Sequence, residues 1–142
     1  MQEPVFRHQH RVTYAECTVG NHVYYARYLE ILEAARGEFF RDVGLPLLPL
    51  QLNGAAFPVI GLRLAYKAQA RYDDLLTIEL WINDMRGVRL NFGFRILHSD
   101  GRLIAEGETQ HVCAGMDERP SRLPKELTER FQPFVRPHKN AD

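Results

Sequence analysis

Four residues able to move a proton or address a carbonyl crowd into one short stretch: Glu16, Thr18, Asn21 and His22. A threonine hydroxyl is a weak nucleophile until a base takes its proton. His22 could be that base, since an imidazole titrates near neutrality. Asn21 could orient a water or donate to a carbonyl, although a turn is its ordinary setting. Glu16 could act in acid–base chemistry or pair with an arginine at a strand end, the commoner fate of a surface carboxylate. If a strand runs through it, Glu16 shares a face with Thr18. Cys17 then has the opposite parity and no thiolate-stabilising neighbour, so it is a poor nucleophile. The same residues also have purely structural uses: Thr18 as a turn hydrogen bond, His22 as packing at a helix entry.

These side chains sit where a strand meets the longest helical pattern in the chain. Tyr28, Ile31, Leu32, Ala35, Phe39 and Val43 recur at spacings of three and four, one apolar stripe. The pattern predicts a helix from about Tyr24–Ala26 to Val43, closed by Gly44, with Pro46 and Pro49 against its continuation. Backbone N–H groups at such a start are unpaired and partly positive; they could polarise a carbonyl held there. On the helix, Glu33 could position a water, with Arg36 three residues on as a ready structural partner.

Residues 4–15 read as a first strand, with His8 and His10 two apart and no third metal ligand near them. After the helix, the leucine-rich segment Leu45–Gly54 reads as a loop that covers a cavity, a subunit contact or its own core. Alternating segments follow at Phe57–Lys67, Leu75–Asn83, Val88–His98 and Arg102–Gly115. Tyr72-Asp73-Asp74 and Ser99-Asp100-Gly101 supply turns between them. A short helix is expected over Lys125–Phe131, behind Pro124. The class is therefore α+β: a five-stranded antiparallel sheet with one long helix against it, in a single domain over residues 1–132, with 133–142 as a loose tail. Apolar edge strands invite pairing, so a homodimer is expected, with a homotetramer as the larger alternative.

Composition narrows the partners. Lysine and arginine balance aspartate and glutamate at zero net charge in 142 residues. No basic surplus points to nucleic acid. No apolar run reaches the roughly 20 residues of a membrane span, and the N-terminus lacks the apolar core of a signal peptide. Two cysteines, Cys17 and Cys113, read as free thiols of a reducing cytoplasm rather than a disulfide framework.

Val12–Thr18, Gly20–Leu29 and Glu33–Arg36, with Tyr66–Asp74, Arg86–Phe94 and Leu103–Gly107, resemble the hot-dog-fold acyl-CoA thioesterases of the 4-hydroxybenzoyl-CoA thioesterase family. The likeness runs from about Val12 to Pro124. It implies a sheet wrapped around a central helix, two subunits pairing into one continuous sheet, and active sites at their interface. It implies an acyl-CoA substrate hydrolysed to free acid and CoA, with no metal and no redox cofactor. It places the acyl group beside the helix, the carbonyl oxygen on N–H groups at the helix start, and CoA phosphates near Arg86 and Arg89. The arginine fork suits phosphate, although a charged turn is the plainer reading of that pair; Lys67 and Arg71 are further candidates by charge. The family's catalytic aspartate falls on Thr18, and the glycine commonly found before the histidine is Asn21. The expected catalytic set is thus Thr18, His22, Asn21, Glu16 and Glu33. The alternative is an acyl-thioester-binding protein with little or no hydrolysis.

Overall fold

The computed structural model describes residues 4–136. Five strands form one sheet in the order β1-β3-β4-β5-β2: β1 (Phe6–Arg11), β2 (Val59–Tyr66), β3 (Leu75–Arg86), β4 (Arg89–His98) and β5 (Leu103–Val112). Every neighbouring pair is antiparallel. Leu76, Ile78, Leu80 and Ile82 of β3 meet Leu90, Phe92, Phe94 and Ile96 of β4 on the inner face, all buried. Against that face lies α1 (Arg27–Asp42), burying Tyr28, Ile31, Leu32, Ala35, Phe39 and Phe40. The expected stripe is therefore the core face of the helix. Phe39 stacks on Phe6 of β1 and meets Phe92, Phe131 and Phe134 edge-on, which fixes the helix across the sheet. Gly44 caps the helix at φ 81°, a backbone setting open to glycine.

Three expectations meet a different structure. The first strand stops at Arg11 rather than running to residue 15, and Tyr14–Glu16 form a 3-10 turn. The cause is local: the Glu16 carboxylate takes the Thr13 backbone N–H at 2.7 Å, closing the turn and leaving Tyr14 81% exposed. The Leu45–Gly54 loop contains a short helix, α2 (Leu47–Leu52). Pro46 sits at its N-cap and Pro49 within its first turn, where a missing N–H leaves no helical bond unmade. Strand β3 runs past Asn83 to Arg86 across a bulge between Ile82 and Asp84.

The third helix, α3 (Lys125–Phe131), buries Leu127 and Phe131 and occupies the predicted residues. Beyond it, Phe134 packs on Phe39, and Arg136 donates its N–H to the Ile82 carbonyl and lays its guanidinium over Trp81. The rest of the expected loose tail, residues 137–142, lies outside the described residues.

Candidate active site

The turn from Cys17 to Val23 is a closed loop. Those two residues form an antiparallel bridge, the Thr18 N–H donates to the His22 carbonyl at 2.8 Å, and the Asn21 N–H donates back to the Thr18 carbonyl at 3.0 Å. Asn21 holds φ 57°, a left-handed setting that asparagine tolerates better than most residues. Asparagine can therefore serve at the position where the sequence resemblance implies glycine. The Asn21 side chain accepts the Tyr72 N–H at 3.1 Å, and its carbonyl accepts from Arg71 Nη1 at 3.1 Å. Arg71 and Asn21 therefore fix the loop.

The loop presents Thr18 to His22: Oγ1 lies 3.3 Å from Nε2, and both side chains are half-buried. The hydroxyl donates when Nε2 carries no proton. A β-carbon on Gly20 would sit 3.3 Å from the His22 ring and 3.8 Å from Thr18 Oγ1, so glycine keeps the space over the pair open.

Glu16 does not join them. Its carboxylate bonds His10 Nε2 at 2.8 Å and the Thr13 N–H at 2.7 Å. The partner is a histidine, not the expected arginine. Burial alone would raise the carboxyl's pKa, but the Thr13 and His10 hydrogen bonds and the charge on His10 outweigh it and leave the pKa below its ordinary value. The same contact accounts for His10 without a metal, and no cluster of metal-ligating side chains occurs among the described residues. Burial and the charges of Glu16 and Asp74 push the Cys17 thiol up, so it stays protonated and unreactive.

Tyrosines, to which the sequence pattern gives no role in the site, surround the pair. All six of them line two cavities that share Thr18 as a wall. Tyr14 and Tyr72 border one of about 440 Å3. Tyr24, Tyr25, Tyr28 and Tyr66, with His22, border the other, of about 470 Å3, at the start of α1. Tyr66 donates its hydroxyl to the Tyr25 carbonyl at 2.8 Å, pinning the end of β2 to the helix entry. The clustering at positions 24, 25 and 28 was visible, but helical spacing assigned only Tyr28 a role. Ala26 at the N-cap brings no side-chain cap, and the first N–H groups of α1 are in part taken by backbone carbonyls: Arg27 donates to Tyr24 at 2.8 Å and Leu29 to Ala26 at 3.2 Å.

Glu33 lies elsewhere. With Arg36 it lines a cavity of about 530 Å3 between α1, α2 and the Val59 end of β2, walled by Phe40, Phe57 and Phe92. Burial lowers the basicity of Arg36 and the charge of Glu33 restores part of it; no direct ion pair joins the two among the described contacts. His111, on the cavity wall, bonds the Phe57 carbonyl through Nδ1 and Thr109 Oγ1 through Nε2, each at 2.9 Å. Burial drops its pKa to about 4, with Arg36 adding to the effect and the Phe57 bond opposing it, so the ring is neutral.

Arg86 and Arg89 face each other across the β3–β4 hairpin, where Gly87 takes φ 61°. They are not near Thr18 in the same chain. Strand β3 begins beside Asp74, at the Thr18 end, and its 12 residues carry the chain to Arg86, a span of about 35 Å at roughly 3.3 Å per residue.

A five-stranded antiparallel sheet packed against one long helix is the fold that the sequence resemblance implied. The thioesterase-like superfamily matches over residues 12–131. The chain belongs to that superfamily. It is 35% identical to the acyl-CoA thioester hydrolase YbgC of Escherichia coli, across 93% of this chain and 99% of that protein. It is 30% identical to the 4-hydroxybenzoyl-CoA thioesterase of a Pseudomonas species, across 73% of each. Among solved structures, a hypothetical protein of Thermus thermophilus superposes with a TM-score of 0.84 at 30% identity, covering 90% of this chain and 98% of its own. The hot-dog fold and the thioesterase family stand together on these matches.

Proposed function

We infer that this chain hydrolyses acyl-CoA thioesters to a free acid and CoA. The observation that carries the chemistry is the 3.3 Å contact between Thr18 and His22, which supplies a hydroxyl and a base where the family uses an aspartate. His22 takes a proton from Thr18 or from a water that Thr18 holds, and the oxygen so activated attacks the thioester carbonyl. Backbone N–H groups at the entry to α1 other than that of Arg27, which bonds the Tyr24 carbonyl, stabilise the oxyanion. Collapse breaks the carbon–sulfur bond, and the protonated His22 returns its proton to the departing thiolate. Attack by Thr18 itself leaves an acyl-threonine that water then cleaves, with a burst of thiol; attack by water gives none. No step calls for a metal or a redox cofactor. Tyr24, Tyr25, Tyr28 and Tyr66 offer walls for the acyl group.

Two subunits complete the site. Strand β2 pairs only with β5 among the described residues, and its outer edge exposes Val59, Ile60, Leu62 and Tyr66. Such an edge favours pairing. Antiparallel pairing of two β2 edges would turn the second subunit's Val59 end toward Tyr66 of the first. That places its Arg86–Arg89 hairpin at the same end of the joint sheet as Thr18, for the CoA phosphates. We assign the protein to the cytoplasm, in keeping with its free thiols Cys17 and Cys113. No helix among the described residues is long and apolar enough to cross a membrane.

The test is free-thiol release across a panel of acyl-CoAs, with binding measured on the same panel. Thiol release from at least one ester sustains the reading. Binding without release favours an acyl-thioester-binding protein, which the absent carboxylate at Thr18 would explain.

A further inference from the structure

Tyr24, Tyr25, Tyr28 and Tyr66 gather around one cavity of about 470 Å3, which Thr18 and His22 also border. Three of the rings are open to a ligand: Tyr24, Tyr25 and Tyr66 are 46%, 61% and 48% exposed, while Tyr28 is buried. Their placement is fixed by the protein. Tyr66 donates its hydroxyl to the Tyr25 carbonyl at 2.8 Å, and the Tyr28 hydroxyl accepts the Ala70 N–H at 3.3 Å. Ring centroids lie 4.8 Å apart for Tyr24 and Tyr25, 6.4 Å for Tyr25 and Tyr66, and 5.6 Å for Tyr28 and Tyr66. The ring planes in those pairs meet at 50°, 86° and 61°, so none of the three is stacked. The rest of the wall is Val23, Ala68 and Gln69, with no lysine, arginine, aspartate or glutamate among the described residues.

An anionic acyl group finds no counter-charge on such a wall. A flat aryl group stacks on one ring at a time. A compact cation is drawn to every aromatic face within about 6 Å, and centroids this close bring several rings within reach of one charge. The wall also has no carboxylate to take the N–H groups of a primary ammonium. We propose that the acyl group this chain selects is short and ends in a quaternary ammonium, held among Tyr24, Tyr25 and Tyr66. It is short because Thr18 and His22 border the same cavity, so head group and reacting carbonyl share one space. Pairing of two β2 edges, as inferred above, would cover this cavity and keep water from the bound charge, the setting in which cation–π contacts are strongest. The proposal rests on the acyl-CoA reading and adds the class of acyl group to it.

The probes are two CoA thioethers titrated into the full chain, one carrying a 3-(trimethylammonio)propyl group and the other its neutral isostere, a 4,4-dimethylpentyl group. They differ only in a charged nitrogen for a carbon. Neither has a thioester to cleave, so affinity is read apart from hydrolysis. The native chain binds the ammonium probe about 2- to 30-fold more tightly, the span of cation–π contacts from exposed to desolvated. Tyr25→Phe, which keeps a ring face, retains the preference. Tyr25→Leu lowers it, and Tyr24→Leu with Tyr25→Leu brings the ratio to about one, with folding checked by melting temperature. Equal affinity for the two probes in the native chain overturns the proposal without any variant, as does binding of neither. A preference that survives the double variant overturns it too, and a benzyl thioether that binds more tightly than the ammonium probe assigns the cavity to aryl groups instead. If the chain releases thiol from acyl-CoAs but shows no preference for the ammonium probe, the cage falls and the thioesterase reading stands. If it prefers the ammonium probe but releases no thiol from any acyl-CoA, the cage stands and hydrolysis falls.

Discussion

Thr18 Oγ1 and His22 Nε2 lie 3.3 Å apart, and neither side chain has another hydrogen-bond partner among the described residues. The backbones of the same two residues are joined by the 2.8 Å bond from the Thr18 N–H to the His22 carbonyl. The pair is thus held by its own loop, without a third side chain behind the imidazole.

Glu16 is the residue whose expected role changes most. Because its carboxylate is engaged by Thr13 and His10, Glu16→Gln should leave the hydrolysis rate within a few-fold of native. It should instead lower the melting temperature by loosening the 3-10 turn, with a cost of roughly 0.5–2 kcal/mol, that of a lost cap. Steady-state kinetics and thermal melts on one preparation check both halves. A loss of the size expected for a catalytic acid–base group, with stability intact, would return Glu16 to the chemistry.

Gly20 reports on the space above the pair. A new methyl there would press on the His22 ring at 3.3 Å. Gly20→Ala should lower kcat with little change in melting temperature, since the loop lies at the surface, and Gly20→Val should lower it further. Equal rates for all three chains would show that the imidazole is not held in place for catalysis.

His111 sets an acid limit on stability. Its folded-state pKa is about 4, below the ordinary histidine value near 6.5. The unfolded chain therefore binds the extra proton first as pH falls. The stabilisation is fully present above about pH 6.5 and is lost progressively down to about pH 4, amounting to about 3 kcal/mol. Denaturant unfolding at a series of pH values should show that slope in the native chain and a shallower one in His111→Gln.

Subunit pairing makes a complementation test available. At limiting substrate, Thr18→Ala should lack chemistry, while the Arg86→Ala, Arg89→Ala double variant should bind CoA esters weakly, most visibly at low salt. Mixing the two and allowing subunits to exchange should restore partial activity, because half of the sites in a heterodimer then carry both intact contributions. No gain on mixing, or a strictly monomeric chain by light scattering, would count against a site shared between subunits.

Much of this was legible in the sequence because it is written in periodicity. The stripe from Tyr28 to Phe39 and the alternation of Leu76–Ile82 and Leu90–Ile96 each have one buried face, so pattern and burial coincide. What stayed hidden depends on side chains meeting across the fold. Glu16 could not be assigned to His10 because that contact needs the strand to stop at Arg11, and the stop is made by Glu16 itself. The gathering of Tyr14, Tyr66 and Tyr72 around Thr18 requires β2 and the segment before β3 to return to the helix start. The separation of Arg86 from Thr18 follows from strand length alone, and became visible once β3 was seen to continue past Asn83.

The most direct measurement is the rate of thiol release from a short-chain acyl-CoA by the native chain, Thr18→Ala, His22→Ala and Thr18→Asp, with ligand binding confirmed for each. The native chain should turn over, and removal of either member of the pair should cost roughly 10²–10⁴-fold in kcat, the usual worth of a positioned acid–base group. Thr18→Asp should remain active, having regained the carboxylate of the family. Undiminished rates in both Thr18→Ala and His22→Ala would contradict the account. So would a native chain that binds esters without cleaving them while Thr18→Asp hydrolyses them.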